Sequence, residues 1–488
     1  MIFHFNPNYG IRTNSIQKCA LKRMQMLRQH GIPSKILTVA YDKSRNNIAH
    51  HKLCEDDFEN MYDYFQKARN FKGSAILIKD LFAGPEYTLK KIDKQQNVRV
   101  YLNEKYIAHI ESPEGLTVSV VNYSDIKGKW AKCEVYDSRG FLSCEKVLED
   151  WGKSLAEFFY CVNGEKVIEK YYRSEKDKCT LTLLRVRDLD GKWQRLQTEE
   201  ELITLYFKYF LTENDIVIDD CLIQHGCKSL LAAKGSYKII PVLHSAHMLY
   251  NSSKIHECYS AVFNNMDKIA AVVVQTERQK EDIVESFSNA DKIHCIPVSF
   301  RVEAEQIPID NPPKIIYVGR YAEVKRVKDV IQAFSFISEK VPRAVLHICG
   351  MNAEGKDELM KLAEALRVEK KVKISAFIPN ISDEYASSKL LLLTSKNEGF
   401  PGVLIEAASF GLPVVSYNIK YGPDTLIIDK ESGFLTLEDP KALADRAITL
   451  LNDSKLYKEF SDKAYQHAFN FTREQYSDRW ISLLAALR

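Results

Sequence analysis

Two glutamates, Glu398 and Glu406, stand eight residues apart in the segment KNEGFPGVLIEAASFGLPVV, Lys396–Val415. The four leucines of Leu390–Leu393 form an apolar run of the length of a buried strand, and Pro401 suits the first turn of a helix. Glu398 is therefore predicted on a strand-to-helix loop, and Glu406 about one turn inside the helix. Because open α/β sheets bind ligands at the carboxyl ends of their strands, both carboxylates could face one cleft.

Glutamates are common on loops and exposed helix faces, so this pair also has a purely structural explanation. Two features favour a binding role. Glu406 lies in the otherwise apolar helix VLIEAASF, where an unpaired carboxylate would be costly to bury. Gly399 and Gly402 let a ligand approach the backbone closely and leave amide groups free to donate hydrogen bonds.

A group of cations follows the predicted strand KIIYVG, in GRYAEVKRVKDVIQAF. Arg320 stands at the end of that strand, and Lys325 follows it five residues later, near the start of the next helix. Two cations beside a helix N-terminus form an anion site suited to a diphosphate. Solvated charges on a helix surface explain the pattern equally well, and Lys328 is expected to be such an exposed charge.

Two histidines end another predicted strand, in VLHSAH. A metal site is not expected, because no third or fourth ligand accompanies His244 and His247. His244 is predicted to donate or accept hydrogen bonds at the cleft, and His247 to have a structural role. Gly10, in NPNYGIRTN after the first strand, could bring a backbone amide to a phosphate, although one glycine is a weak signal.

The composition predicts a multidomain globular protein. The chain has 488 residues, 45% of them apolar, which is too long for one core. Its 68 basic and 65 acidic residues leave a charge of +3, and no basic stripe predicts nucleic-acid binding. The 11 cysteines include no CxxC pair, and no apolar leader follows Met1, so we expect free thiols in the cytoplasm. A basic amphipathic first helix leaves peripheral association with the inner face of a membrane open.

The order of predicted elements indicates an α/β fold with two Rossmann-like domains facing a cleft. Within the first of them the pattern changes to strands joined by turn signals such as Asn163-Gly164, which predicts an inserted antiparallel β-meander. The proline-rich segment Ile307–Lys314 is predicted to link the domains. The predicted parts are an N-terminal domain at 1–72 and 212–311, the insertion at 73–211, a C-terminal domain at 312–471, and a helix at 472–488 that packs back on the body.

Together these motifs resemble the retaining glycosyltransferases with the GT-B fold, in particular glycosyltransferase family 4. The resemblance rests on GRYAEVK, on the Glu-x7-Glu pattern, on the following YGPDTLIIDKESGFL and on the strand-end histidine. The inserted β-meander is similar to that of the α-glycosyltransferases that decorate teichoic acids, the poly(glycerol-phosphate) α-glucosyltransferase type. One departure is that relatives often carry two glycines in the first loop, where this chain has only Gly10.

The resemblance implies a UDP-sugar donor, no other cofactor and no metal. Arg320 and Lys325 would neutralise the departing diphosphate in place of a metal ion, and Glu398 would hydrogen-bond the transferred sugar. Glu406 would bind the ribose hydroxyls, and His244 would reach the sugar from the other domain. Backbone amides of a donor-binding segment would contact the sugar and phosphates, and this segment comprises Phe400, Pro401, Gly402 and Val403.

The expected function is transfer of glucose or N-acetylglucosamine to a hydroxyl of a cell-wall polymer such as teichoic acid, with retention of the anomeric configuration. Two alternatives remain open. One is transfer to Ser or Thr of a serine-rich adhesin, and the other is a non-catalytic glycosyltransferase-like subunit, which would be expected to lose the donor-site charges. The insertion contains aromatic residues, including Trp130, Trp151 and Trp193. Three roles are compatible with this composition: acceptor binding, homo-oligomer formation and a simple scaffold.

Overall fold

The structure is a computed structural model. It describes residues 1–10, 13–42, 51, 53–92, 96–113, 115–149, 152–175, 178–222, 226–287, 290–307 and 312–488. Trp151 and residues 308–311 of the predicted linker lie outside these ranges. The chain divides into two compact units, Met1–Ile239 and Ile240–Arg488. The predicted boundaries of the smaller parts remain predictions.

The first unit begins with the predicted βαβ arrangement. Its five-stranded sheet has the order β15-β14-β1-β2-β3, and the pairs that join β14, β1, β2 and β3 are parallel. The strands are β1 (Ile2–Phe5), β2 (Ser34–Thr38), β3 (Phe58–Asn60), β14 (Ile216–Asp219) and β15 (Lys238–Pro241). Among its described residues, the helices of this part are α1 (Ser15–Gln29), α2 (Met61–Phe65) and α5 (Gly226–Ala232).

The predicted antiparallel meander is confirmed as a ten-stranded sheet in which each strand pairs with the next along the chain. Its strands are β4 (Tyr87–Lys91), β5 (Val98–Leu102), β6 (Lys105–Glu111), β7 (Val120–Ser124), β8 (Trp130–Asp137), β9 (Phe141–Glu149), β10 (Lys153–Tyr160), β11 (Lys166–Glu175), β12 (Lys178–Arg187) and β13 (Trp193–Leu196). Gly164 turns β10 into β11 with a φ of 84°, a conformation that glycine adopts without strain.

Two helices flank this sheet in sequence, α3 (Ile78–Leu81) and α4 (Glu199–Phe210). Helix α4 was not predicted from the sequence, and it falls at the end of the range assigned to the meander. Phe207 of α4 packs edge-on against Phe5 of β1 with 5.5 Å between ring centroids. The apolar face of α4 is therefore buried on the parallel sheet of the same unit.

The second unit contains two parallel arrangements. The smaller joins β16 (Val272–Val274) to β17 (Ile293–Cys295) and carries α6 (Ser260–Phe263) and α7 (Glu277–Ser286). The predicted start of α7 is confirmed, because the Thr276 side chain accepts a hydrogen bond from the amide of Gln279.

The larger arrangement is a six-stranded parallel sheet with the order β20-β19-β18-β21-β22-β23. Its strands are β18 (Lys314–Val318), β19 (Val345–Cys349), β20 (Val372–Ser375), β21 (Leu390–Leu393), β22 (Val414–Tyr417) and β23 (Gly433–Thr436). Its helices are α8 (Val327–Lys340), α9 (Ala353–Ala365), α10 (Ser382–Ala386), α11 (Gly402–Ser409), α12 (Pro423–Leu426), α13 (Pro440–Asn452) and α14 (Ser454–Ala468). The order reverses between β18 and β21, so the topological switch point lies between these two strands.

The last helix, α15 (Arg473–Ala486), starts with the predicted capping box of Thr472 and Gln475. Its predicted apolar residues Tyr476, Trp480, Leu483 and Leu484 are buried. Tyr476 contacts Phe300 with 5.4 Å between ring centroids. Across the described residues, no helix is long and apolar enough to cross a membrane.

Candidate active site

The loops that follow β18 and β21 bring two of the predicted catalytic residues together. The Lys325 ammonium and the Glu398 carboxylate form an ion pair, and the Ser395 hydroxyl donates a second hydrogen bond to Glu398 at 2.6 Å. The side chains of Lys325 and Glu398 are 22% and 13% exposed, so this pair is screened less by solvent than a surface pair. A cation and a carboxylate thus meet at the switch point of the sheet.

Backbone contacts hold these two loops to each other. The amide of Lys396 donates to the carbonyl of Val324 at 2.8 Å. The Thr394 hydroxyl lies 2.9 Å from the carbonyl oxygen of Lys325 and 3.1 Å from that of Arg326. Arg326 has a φ of 46° where the chain turns into α8. Lys325 is therefore positioned by the second loop as well as by its own.

Arg320 is exposed at the end of β18, as the sequence analysis predicted. Beneath it, the Tyr317 hydroxyl lies 2.7 Å from the position that a Cβ on Gly319 would occupy. Among the described residues this buried hydroxyl has no hydrogen-bond partner. Burial, then the negative charge of Glu398, raises the pKa of Tyr317 against the opposing effect of Arg320. Sequence reasoning missed Tyr317, because a tyrosine within an apolar strand carries no signal of its own.

The predicted donor-binding segment forms the start of α11. Pro401 is the N-cap of this helix rather than part of its first turn, and Gly402 is its first residue. Since proline offers no side-chain acceptor, the amides of Gly402 and Val403 are left to donate to a ligand or to water, whereas that of the next residue donates to the Pro401 carbonyl at 2.9 Å. Phe400 is buried and packs against Phe471 at 5.8 Å between ring centroids, whereas Val403 is partly exposed.

Glu406 lies on α11 and accepts a hydrogen bond from the Tyr385 hydroxyl at 2.9 Å. The cost of burying its carboxylate, which the sequence analysis noted, is therefore offset in part by a tyrosine of α10. Burial, followed by the negative charge of Glu406, raises the pKa of Tyr385 well above its usual range. Because Tyr385 precedes Glu406 by 21 residues, sequence spacing does not reveal this contact.

The strand-end segment of His244 lies against the loop of Glu398. A Cβ on Gly399 would come within 2.4 Å of the His244 carbonyl oxygen and 3.0 Å of the Ser245 amide nitrogen. Only glycine allows this approach, which places the partly buried His244 beside the loop of Glu398. Gly10, in contrast, belongs to the first unit, where its carbonyl accepts a hydrogen bond from His51 at 2.9 Å, so its role in donor binding stays a prediction.

We expect Gly399→Ala to lower the thermal unfolding midpoint and to reduce activity, because the new methyl group meets backbone atoms that cannot rotate away. Gly402→Ala is the matched control for stability. A Cβ at Gly402 would meet the Ser299 side chain at 3.6 Å, an ordinary van der Waals distance. Thermal unfolding followed by circular dichroism measures both variants. Equal midpoints for Gly399→Ala and wild type would contradict the close approach of the two segments.

His247 has the structural role that the sequence analysis favoured. Its side chain is fully buried, and within the described part of the chain neither ring nitrogen has a hydrogen-bond partner. The ring stacks on Tyr421, with centroids 6.0 Å apart and an interplanar angle of 9°. Burial lowers the pKa of His247 to about 4 against the opposing charge of Asp282. The histidine is therefore neutral in the folded protein near pH 7.

This shift predicts acid sensitivity. Because the folded-state pKa of His247 lies below its unfolded value, its neutral ring contributes stability that is complete above about pH 6.5 and is lost as the pH falls towards 4. The loss is at most about 3 kcal/mol. We expect the unfolding midpoint of His247→Phe to fall less between pH 7 and pH 4.5 than the unfolding midpoint of wild type. The exposed His30 provides the control His30→Gln, which should follow wild type; identical pH profiles for all three proteins would contradict the prediction.

Two family models match this sequence. Residues 299–467 match the model of glycosyl transferases group 1. Residues 7–375 match the model of the family of accessory Sec system protein 1.

Three curated relatives from Bacillus, Staphylococcus and Streptococcus are named as glycosyltransferases. The chain is 25% identical over 383 residues to a poly(glycerol-phosphate) alpha-glucosyltransferase of Bacillus subtilis, a match that covers 76% of this chain and 56% of that enzyme. It is 23% identical to a poly(ribitol-phosphate) alpha-N-acetylglucosaminyltransferase of Staphylococcus aureus, with 99% of this chain and 98% of the enzyme covered. It is also 23% identical to the GtfA subunit of a UDP-N-acetylglucosamine–peptide N-acetylglucosaminyltransferase of Streptococcus parasanguinis, with 98% of each covered.

Solved structures share the fold along the whole chain. The TM-score is 0.82 to the GtfA/B complex, at 20% identity, with 100% of this chain and 99% of that chain covered. It is 0.78 to an S. aureus TarM mutant in complex with Fondaparinux, alpha-GlcNAc-glycerol and UDP, at 20% identity and 99% coverage of both chains. It is 0.64 to accessory secretory protein 1, 2 and 3 of Streptococcus pneumoniae, at 15% identity, with 100% of this chain and 99% of that chain covered.

The fold and the group 1 domain define the class of this protein: it has the GT-B fold of glycosyltransferases and carries a glycosyl transferases group 1 domain, which confirms the fold expected from the sequence. The inserted antiparallel sheet is part of that fold here. By the match over residues 7–375, the chain belongs to the family of accessory Sec system protein 1.

Proposed function

We propose that this chain is a retaining α-glycosyltransferase that moves glucose or N-acetylglucosamine from a UDP-sugar to a hydroxyl of a teichoic acid. The observation that carries the proposal is the ion pair of Lys325 and Glu398 at the switch point, beside the open N-terminus of α11. A site for a nucleotide sugar needs cations for the diphosphate and acceptors for sugar hydroxyls, and both are present. The relatives in Bacillus and Staphylococcus supply the acceptor class.

The cations of the site would assist departure of the nucleoside diphosphate. Negative charge grows on the diphosphate as its bond to the sugar breaks, so donors fixed in advance lower the barrier. Lys325 is held near that position by the second loop, and the exposed Arg320 can turn towards the phosphates. Amides at the start of α11 would add to the same anion site. These two cations would take the part of a divalent metal, so we propose that transfer is independent of metal ions.

The carboxylates and the histidine would form hydrogen bonds with hydroxyl groups of the sugar and the ribose. Glu398 already accepts two hydrogen bonds, from Lys325 and Ser395, and it retains acceptor capacity for a sugar hydroxyl. Glu406 is oriented by Tyr385 and would accept from the ribose hydroxyls of the nucleotide. His244 would hydrogen-bond the sugar from the segment that lies against Gly399. Retention would follow front-face attack by the acceptor hydroxyl, assisted by the leaving phosphate.

The acceptor and the cellular setting belong to the same proposal. A polymer at the inner face of the membrane is the acceptor we favour, which places the enzyme in the cytoplasm. A serine-rich glycoprotein is the alternative acceptor, because the GtfA subunit named for peptide transfer matches along 98% of this chain. Homo-oligomer formation, or assembly with a partner protein, would involve parts of the chain away from the donor site.

A second candidate function follows from the family match over residues 7–375, since that family is named for an accessory secretion protein. In this case the chain would bind a partner or an acceptor polypeptide and transfer no sugar. The paired Lys325 and Glu398 argue against it, because a non-catalytic chain would be expected to lose the donor-site charges and both are present here.

Donor binding separates the two candidates. Purified protein is titrated with UDP-glucose, UDP-N-acetylglucosamine and GDP-mannose in the presence of EDTA, and slow hydrolysis of each donor is followed. We expect binding and hydrolysis of one UDP-sugar, undiminished by EDTA. Folded protein that binds none of the three would support the accessory function. Binding that EDTA abolishes would contradict metal-independent transfer.

A further inference from the structure

The backbone of Glu398 is held by a dipeptide that the proposed mechanism does not use. The amide of Glu398 donates to the carbonyl of Lys420 at 3.2 Å, and the amide of Tyr421 donates to the carbonyl of Glu398 at 3.0 Å. Both polar groups of the Glu398 main chain are thus fixed by Lys420 and Tyr421. Any displacement of this dipeptide would displace the carboxylate that we assign to the sugar.

The side chains of the same dipeptide converge on one carboxylate of α7. Asp282 accepts hydrogen bonds from the Lys420 ammonium and the Tyr421 hydroxyl, each at 2.5 Å. Burial acts to raise the pKa of Asp282, but the hydrogen bonds from Lys420 and Tyr421 outweigh it and lower the pKa. The positive charges of Lys420 and Arg278 lower this pKa as well. On its other side, the Tyr421 ring stacks on His247. Tyr421 is therefore fixed by its hydroxyl and by its ring face, and both contacts come from residues that precede the six-stranded sheet in sequence.

A second ion pair on the same helix lacks this connection. Arg278 of α7 pairs with Asp424 of α12, four residues beyond Lys420. In the described part of the chain neither residue bonds to the Lys420–Tyr421 dipeptide or to Glu398. Both pairs join α7 to the stretch of chain that follows β22, so a general attachment of α7 to this stretch would need both, whereas only the Asp282 pair includes the dipeptide that hydrogen-bonds to Glu398.

We propose that Asp282 is a positioning residue for sugar transfer, which acts on Glu398 through Lys420 and Tyr421. The proposal rests on the donor-site function given to Glu398 above. It assigns a role in the reaction to a residue of α7, more than a hundred positions before Glu398 in the chain. Loss of the Asp282 carboxylate should slow the chemical step, because Glu398 would no longer be held where the sugar hydroxyl requires it.

The test uses Asp282→Ala, Asp282→Asn and Tyr421→Phe in the full chain, with Arg278→Gln as the matched control. For hydrolysis of the UDP-sugar that wild type accepts, we expect kcat to fall about 10-fold or more in Asp282→Ala and about 3- to 10-fold in Tyr421→Phe. Asp282→Asn should retain at least about a third of the wild-type kcat, since its amide oxygen still accepts from Tyr421. Arg278→Gln should stay within about twofold of wild type.

Binding of UDP, measured by calorimetry, distinguishes positioning from a general structural role. Because the proposed nucleotide contacts do not include Glu398, the UDP affinity of Asp282→Ala should stay within about twofold of wild type while kcat falls. Parallel losses of kcat, UDP affinity and unfolding midpoint would overturn the proposal. So would equal losses of kcat in Asp282→Ala and Arg278→Gln. If Asp282→Ala does not fold, Tyr421→Phe decides the matter, because it keeps the ring stacked on His247 and removes only the hydroxyl.

Failure of this inference can be told apart from failure of the proposed function. Wild-type protein that neither binds nor hydrolyses UDP-sugars removes the function itself. A large loss in Glu398→Gln combined with full turnover in Asp282→Ala overturns the positioning role alone. In the Glu398→Gln background, Asp282→Ala should reduce the residual kcat by less than about twofold, because two changes that act through one carboxylate are not additive.

Discussion

Replacing Lys325 with alanine is expected to lower kcat/KM for transfer from a UDP-sugar by about 1,000-fold or more. The ammonium that would bind the diphosphate is lost, and the transition state loses a charge–charge interaction in a partly desolvated site. The fold should persist, because Glu398 keeps its hydrogen bond from Ser395 at 2.6 Å and its two backbone hydrogen bonds. Steady-state kinetics with the preferred UDP-sugar and an unfolding curve measure both quantities.

Lys328→Ala provides the control for this prediction. Lys328 follows Lys325 by three residues on the same stretch of chain, but its side chain is 53% exposed and pairs with Glu358 at the surface. Its loss should leave kcat/KM within about twofold, since exposed ion pairs contribute little. A comparable loss of activity in both variants would mean that the effect is one of overall charge. Wild-type turnover in Lys325→Ala would remove the donor-site assignment.

Glu398→Gln is the second change with a large expected effect, a fall of about 100-fold or more in kcat with an unchanged fold. Glutamine has nearly the same shape and still accepts from Ser395, so what is lost is the negative charge that pairs with Lys325 and binds the sugar hydroxyl. The UDP affinity should change much less than kcat, because UDP lacks the sugar. Calorimetry with UDP and kinetics with the UDP-sugar separate the two.

Glu323→Gln tests whether the loss of kcat is specific to Glu398 or follows from removing any carboxylate on these two loops. Glu323 lies two residues before Lys325 and pairs with Lys396 at 2.7 Å, but its side chain is 90% exposed. Its replacement should leave kcat unchanged. Glu398→Gln with wild-type kcat, or Glu323→Gln with an equal loss, would falsify the role of Glu398.

The sequence predicted the strands of the α/β parts well, because runs such as Leu390–Leu393 are too short and too apolar for other structures. Capping patterns also located the starts of α7 and α15, because a cap is a contact between residues that are close in sequence. The strands β3, β17 and β23 and the helices α4, α12, α13 and α14 are among the elements that were not predicted. Their burial depends on the sheet against which they pack, as Phe207 of α4 shows by lying against Phe5 of β1.

For the site, residue types were predictable and their partners were not. Conspicuous charges singled out Lys325 and Glu398, but their pairing joins residues 73 positions apart, which only the order of β18 and β21 brings together. Tyr385 and Asp282 have no unusual neighbours in sequence, and they act through contacts with distant segments. Whether Gly10 contributes stays a prediction, because it belongs to the first unit.

The hydrogen bonds between the loops after β18 and β21 bear on how such enzymes can be recombined. The single hydroxyl proton of Thr394 is shared between the carbonyls of Lys325 and Arg326, and the Lys396 amide donates to the carbonyl of Val324. The two loops are therefore structurally coupled, although most of a Rossmann half separates them in the chain. A chimera that exchanges one loop for that of a relative would place a foreign cation against a native carboxylate. Donor preference should be transferable between relatives only when both loops are exchanged together.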